Sequence, residues 1–427
     1  MTSFALRHAS LSLVAFAAVL LVAACETPAP KPEPPAAAAP APVTPPPPAP
    51  AAPAPAVQAP PPEPVQFDLA IERAASALFS TAEKVPGLTA SPPRPVMIDP
   101  LIDGNTAQQT VSSEAMGGKI AQLVSARFPK FAVAPFRKES LDRNPLLLVG
   151  TLTAIKNNDR SERNDAFRIC LALVDVRAGK IVAKGLGRAT EQSVDATPLP
   201  YYSDSPSWVK DRSTDGYIRT CQGTRAGDVA DALYIETLPT AMVLDEAVRA
   251  YHARDFDEAA RLYRTAAALP GGEQKRVING LYLTSWKLRR VRDAEDAFGK
   301  LVVRGLEEKR LGIKFLFRPG STEYIPERDL QAQYGMWTRV IANRTVDAKA
   351  CLQIVGHASR SGDEGMNEAL SLRRADVTRR NVERHTGALR GKIKTDGVGS
   401  RETLVGSGTD DLRDALDRRV EFKVVDC

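Results

Sequence analysis

The sequence predicts an α+β multidomain protein, with a mixed α/β region first, a short helical segment next and a β-α-β-α-β arrangement at the carboxy terminus. Three observations predict it. Short apolar runs alternate around one helical stretch between 95 and 183, apolar positions recur at helical spacing with an internal repeat over 241–304, and both periods interchange after 314. The 427 residues leave room for two or three folded units, and 43% apolar content suffices for ordinary cores. The +6 net charge comes from 57 basic and 51 acidic residues, a mixed surface with a mild excess. No basic run is interleaved with aromatics, so nucleic acid is not an expected partner.

Residues 1–25 carry a basic start at Arg7 and an apolar run from Leu11 to Ala24, too short and poorly flanked for a permanent span. This reads as a secretion signal. Its end, Leu21-Val22-Ala23-Ala24-Cys25, resembles the bacterial lipoprotein lipobox, which implies acylation of Cys25 as the new amino terminus. Several acyl chains anchor stably, since each buried methylene contributes about 0.8 kcal/mol. Glu26 is not the aspartate associated with inner-membrane retention, so the resemblance implies the outer membrane. Residues 26–65 are almost wholly proline and alanine, a composition that cannot offset the entropy of ordering and favours extended polyproline II. Such a spacer reaches roughly 120 Å at about 3.1 Å per residue.

Residues 66–238 form the expected α/β domain. Pro95–Asp99, Phe131–Ala134, Leu146–Ile155 and Ala166–Val176 read as strands, and Arg177-Ala178-Gly179-Lys180 turns the chain into Ile181-Val182-Ala183. Ser112 to Arg127 reads as a helix through Met116, Ile120, Leu123 and Val124. The order is similar to the amino-terminal fold of TolB and of lipoproteins that activate penicillin-binding proteins, which implies a protein-binding module. The aromatic stretch Pro198 to Trp208, with Tyr201, Tyr202, Asp204 and Trp208, fits either a partner contact or a plug on a core edge. Asp99, Asp103 and Asp204 have no metal-ligand spacing, and no metal or other cofactor is expected.

Residues 239–306 form the helical segment. Phe256, Ala259 and Tyr263 recur as Val291, Ala294 and Phe298, a shift of about 35 residues, similar to the tetratricopeptide period. Helices are expected over 241–253, 257–269, 274–288 and 292–304, with Pro270-Gly271-Gly272 as the breaker. Two repeats bury little alone, so they should pack on a neighbour, either as a rigid spacer or as a groove for a partner peptide.

The carboxy-terminal domain, 307–427, is expected to open with a strand at Lys314-Phe315-Leu316-Phe317 and a helix over Gln331–Asn343. Next come a strand at Leu352–Val355, a helix from Ser371 to about His385 and a strand alternating through Val420, Phe422 and Val424. Ser371 as N-cap would set Arg374 on the first turn, where backbone N–H groups favour anions. The elements Gly356-His357-Ala358-Ser359-Arg360-Ser361-Gly362, then Asn367, Leu370, Ser371, Arg374 and Ala375, and later Asp417-Arg418-Arg419-Val420-Glu421, resemble the motifs of the OmpA-like peptidoglycan-binding family. The resemblance covers about the last 120 residues. It implies a non-enzymatic wall-binding domain in which Ser359, Asn367, Leu370, Arg374 and Arg419 hold the diaminopimelate-containing stem peptide. One departure is that Ser359 stands at the family's aspartate, which costs a charged hydrogen bond on the order of 1 kcal/mol, with Asp363 or Glu364 as possible substitutes. Arg418 and Arg419 have Asp410, Asp411 and Asp414 as alternative partners, and His357 reads as a satisfied structural histidine.

After Cys25, an even number of cysteines remains, and domain order favours Cys170 with Cys221 and Cys351 with Cys427. In the OmpA-like fold the strand after Cys351 runs antiparallel beside the last strand, which suits the second pairing. Catalysis by a cysteine would need a histidine in reach, and the mature chain offers only His252, His357 and His385. The function expected is an outer-membrane lipoprotein linking membrane and wall. The alternative is an envelope scaffold or regulator of a wall-synthesis or export machine, contacting a protein partner through the first two regions.

Overall fold

The computed structural model describes residues 63–88, 93–158, 161, 164–325, 328–404, 408 and 413–427. The leader, Cys25 and most of the proline–alanine tract lie outside the described residues. The chain enters through helix α1 (Phe67–Ala82), followed by β1 (Arg94–Ile98), β2 (Ile102–Asp103), α2 (Val111–Arg127), β3 (Phe131–Ala134) and α3 (Lys138–Leu141). The long strands β4 (Leu146–Ile155), β5 (Ala166–Asp175) and β6 (Lys180–Thr190) then form an antiparallel meander. Sheet order is β3-β1-β4-β5-β6, with β1 parallel to both neighbours and β2 beside β4. Thr110 starts α2 as a capping box: its Oγ1 accepts from Ser113 N at 3.2 Å, and Ser113 Oγ accepts from Thr110 N at 2.8 Å.

The strands and α2 lie where the sequence predicts them, whereas α1 is an addition. It buries Phe67, Ala70, Ile71, Ala74, Ala75, Leu78, Phe79 and Ala82 against β5 and β6, forming one core layer with α2. Gly185 on β6 permits this approach, because a Cβ there would collide with the carbonyl of Ala74.

The other face of the sheet faces α4 (Pro200–Asp204), α5 (Arg212–Gln222) and α6 (Ala232–Glu236). The helical segment follows as α7 (Leu238–His252), α8 (Phe256–Ala267), α9 (Lys275–Lys287) and α10 (Val291–Glu307), within a few residues of the expected spans. These helices do not close a core of their own. One apolar cluster runs from Leu147 and Val149 of the sheet, through Tyr263 and Phe298, to Trp337 and Phe422 near the carboxy terminus. That continuity supplies the neighbour that two repeats need.

The last part comprises β7 (Arg310–Leu311), α11 (Arg328–Asp347), β8 (Cys351–Gly356), α12 (Glu364–Glu383), β9 (Ile393–Gly397) and β10 (Val420–Val425). Its sheet order is β7-β10-β8-β9, with β8 antiparallel to β10 and parallel to β9. The strand expected at 314–317 is corrected, since the edge strand is Arg310–Leu311 and the following residues make only isolated bridges, Ile313 to Ser207 and Phe317 to Tyr324. Side-chain alternation there is real but serves two sides of one core. Phe315 and Phe317 enter an aromatic cluster with Tyr324, while Lys314 turns the other way to donate to the Tyr202 carbonyl at 2.6 Å. Cys170 and Cys221 lie at disulfide distance with Cα atoms 6.1 Å apart, and Cys351 and Cys427 with Cα atoms 5.2 Å apart.

Candidate functional site

The helix carrying Arg374 begins earlier than the sequence suggests. Its N-cap is Asp363, whose carboxylate accepts from Met366 N at 3.0 Å, so Ser371 is not the cap but sits two turns inside. Ser371 Oγ donates to Glu368 O at 2.8 Å and accepts from Gly399 N at 3.0 Å, riveting α12 to the turn after β9. Gly356 completes this approach, since a Cβ there would strike the Ser371 carbonyl. Arg374 therefore lies on the third turn, beyond the unpaired amides of the helix start, and the helix dipole does not assist it.

Arg374 is 1% exposed. Its Nε donates to Ser321 O and its Nη2 to Arg318 O, both at 3.0 Å, and Nη1 reaches His357 O at 3.4 Å. The guanidinium carbon lies 5.2 Å from the Phe317 ring centre. Backbone carbonyls of 318–321 thus occupy donors that a carboxylate would use. Asn367 fastens the adjoining loop, its Nδ2 donating to Ser359 O at 3.3 Å and Ser361 O at 3.0 Å. Ser359 is buried with its Oγ 3.2 Å from Ser361 Oγ, and Leu370 is half-buried on α12. Asp363 is taken by its cap. Glu364 pairs with Arg401 at 3.5 Å, so neither acid substitutes for the missing aspartate in this arrangement.

Arg419 is also buried. Its Nε pairs with Glu421 Oε1 at 2.9 Å, its two Nη atoms reach Glu402 O at 3.4 Å, and it lies 5.9 Å from the Trp208 ring centre. Burial pushes the Glu421 carboxyl up, but Arg419 and then Arg310 outweigh it and hold the group below its ordinary value. Asp410 and Asp411 lie outside the described residues. His357 links the two arginines: its N donates to Arg419 O at 2.9 Å, and its carbonyl accepts from Arg374. Burial first, and then the Arg419 charge, bring its imidazole down to about 3, so it is neutral at ordinary pH. Its ring nitrogens make no hydrogen bond among the described residues, Nδ1 lying 3.9 Å from Glu402 Oε2, so the histidine expected to be structural is buried but not hydrogen-bonded through its ring.

The structure thus gathers Ser359, Asn367, Arg374 and Arg419 around the carboxyl end of β8. Sequence reasoning missed Glu421 as the partner of Arg419, although a spacing of two places both on one face of the last strand. It also missed the 318–321 carbonyls, which leave no side-chain signal. Among the described residues no group of three or more His, Cys, Asp or Glu side chains is placed to hold a metal, and no helix is long and apolar enough to cross a membrane.

The aromatic stretch resolves to the plug. Tyr201 packs on Tyr202, Tyr251 and Tyr263 with ring centres 4.8, 5.9 and 5.9 Å away, and Tyr251 donates to Asp204 at 2.6 Å. Ser207 N and Oγ both donate to Asn279 Oδ1 on α9, at 3.3 and 3.2 Å. The inner face of the helical segment is occupied by the chain's own 201–207.

No family model and no curated protein matches the sequence. Solved structures that are similar to part of the chain include the peptidoglycan-associated lipoprotein from Burkholderia pseudomallei, at 19% identity over 26% of this chain and 89% of that one, TM-score 0.23. The cell wall anchor of the T6SS from Pseudomonas aeruginosa aligns at 17% identity over 30% of this chain and 95% of that one, TM-score 0.22. The OmpA-like domain of FopA1 from Francisella tularensis aligns at 19% identity over 27% of this chain and 74% of that one, TM-score 0.21.

Proposed function

We propose that this chain binds peptidoglycan non-covalently through residues 307–427, and that acylation at Cys25 and the spacer 26–65 tether it between outer membrane and wall. The observation that supports this reading is the convergence of Ser359, Asn367, Arg374 and Arg419 at one strand end, in the spacing of the OmpA-like motifs. In this reading a stem-peptide carboxylate takes the place of the Arg318 and Ser321 carbonyls on Arg374, so segment 318–321 must yield on binding. At these two carbonyls the guanidinium would trade neutral acceptors for a charged one, while the carboxylate gives up water. Tethering by spacer and lipid raises the effective concentration of so modest a site. The scaffold alternative, with contacts through the α/β and helical regions, has less support at the aromatic segment, where Tyr201 and Tyr202 are buried.

Sedimentation of the mature chain with purified sacculi tests this. Wild type is expected to pellet and Arg374→Ala to lose about tenfold or more in affinity, the scale of one charged hydrogen bond. Equal pelleting of a variant that keeps its thermal midpoint would overturn the reading.

A further inference from the structure

A cavity of about 450 Å³ opens where three parts of the chain meet: the 207–215 segment, the ends of α9 and α10, and the β7–β10 edge. Its volume is in the range of small-molecule sites. One wall is apolar, made by the Trp208 indole with Leu301 and Leu311. The rest is charged, and the charges are unequally used.

The acids are mostly spent on the fold. Asp211 Oδ1 accepts from Ser213 N and Thr214 N at 3.0 and 3.1 Å and its Oδ2 from Lys275 N at 2.8 Å, so one carboxylate caps both α5 and α9. Glu308 is paired with Lys275 at 2.6 Å and Arg304 at 3.0 Å, and Glu421 with Arg419 at 2.9 Å and Arg310 at 3.2 Å. The cations keep capacity. Arg310 is 68% exposed and spends one nitrogen on Glu421. Lys210 meets Asp215 only at 3.8 Å, with both side chains exposed. Arg212 is exposed and has no acidic partner among the described residues. Of the lining acids only Asp215 is loosely engaged, and the exposed donors of Arg212, Arg310 and Lys210 beside an apolar wall favour an anion.

We infer that this cavity is a binding site for a small organic oxyanion, two or more carboxylate or phosphate groups on an apolar body that lies against Trp208. Arg212, Arg310 and Lys210 hold the anionic groups. The cavity borders the Arg419 end of the β8 cluster through Glu421 and Trp208 but is not lined by Arg374, Asn367 or Ser359, and the inference does not rest on wall binding.

Calorimetric titration of the full mature chain tests it with N-acetyl-triglutamate as the carboxylate probe, 1,4-phenylene bisphosphate as the phosphate probe and N-acetyl-trialanine amide as the neutral control. At least one anionic probe is expected to bind saturably, more weakly as salt rises, with the control silent. The arm that binds names the source of the charge. The double variant Arg212→Gln with Arg310→Gln, whose side chains are exposed, is expected to lose at least tenfold in affinity at an unchanged thermal midpoint. Arg374→Ala is expected to bind the same probe as wild type, which separates this site from the wall-binding one. Absence of binding by both anionic probes at millimolar concentration, equal binding of the neutral control, or unchanged affinity in the double variant would each overturn the inference.

Discussion

The helical groove and the Arg374 guanidinium are both occupied by the chain itself, but with different physics. Segment 201–207 enters the groove with two buried tyrosines, Tyr201 packed on Tyr251 and Tyr263 and Tyr202 on Tyr201, so removing it exposes apolar area that nothing in water replaces. Segment 318–321 meets Arg374 through two backbone carbonyls and leaves residues 318–320 exposed. An apolar plug is part of the core, whereas a carbonyl clamp on a guanidinium can be exchanged for another acceptor. The groove is therefore structural, and Arg374 is where a ligand could replace an internal partner.

The sharpest way to break this contrast is through the plug. Tyr201→Ala should cost about 3–5 kcal/mol, the scale of an emptied aromatic site, read as a drop in denaturant midpoint. A small effect would mean the groove is not held by its plug and could open to a partner. Removing the Cys351–Cys427 link by Cys427→Ser should cost about 2–5 kcal/mol and act on the carboxy-terminal sheet, where Cys351 is in register with Val425. Hydrogen exchange should then quicken at β8 and β10 and stay unchanged at β4 and β5; uniform acceleration would mean the two regions unfold as one.

Lys314 joins the two regions, donating to Tyr202 O and lying 5.3 Å from the Trp208 ring centre. Burial brings its ammonium down to about 7, with Asp204 opposing. The unfolded chain, with an ordinary lysine, therefore binds more protons between about 7 and about 10. Lys314 should make stability rise with pH through that window, and the contribution should be lost as pH falls through about 7. Lys314→Met should flatten the slope; an unchanged slope in equilibrium unfolding from pH 6 to 10 would remove Lys314 as its cause. The smallest effect belongs to the pocket. Ser359→Asp should tighten sacculus binding by about tenfold or less, and level or weaker binding would mean Ser359 does not occupy the ligand-facing position.

Much of this was legible because pattern and burial coincide. The strand runs at 146–155 and 166–175 and the paired helices announce themselves by period, and the cysteines by order along the chain. Helix α1 was legible too, since 67, 70, 71, 74, 75, 78, 79 and 82 follow one helical face, but its small alanines weaken the signal. Strand β9, Ile-Lys-Thr-Asp-Gly, buries little beyond Ile393 and Gly397 and exists because β8 offers it a parallel ladder. At the site, the residue types were readable and their state was not. The turn Arg360-Ser361-Gly362-Asp363 hid the true cap, which moved Arg374 from the helix start to its third turn. The backbone carbonyls that Arg374 touches carry no sequence signature at all.

Hydrogen exchange across 318–325 in the full mature chain, with and without a soluble diaminopimelate-containing wall fragment, tests the central claim most directly. In the unliganded chain Arg318 N donates to Glu323 O at 3.0 Å, Ser321 N to Arg318 O at 3.2 Å and Ile325 N to Leu316 O at 3.1 Å. If the ligand takes the place of the carbonyls on Arg374, these amides should exchange faster at saturation while α12 keeps its protection. Unchanged or slower exchange at saturating fragment would contradict the account.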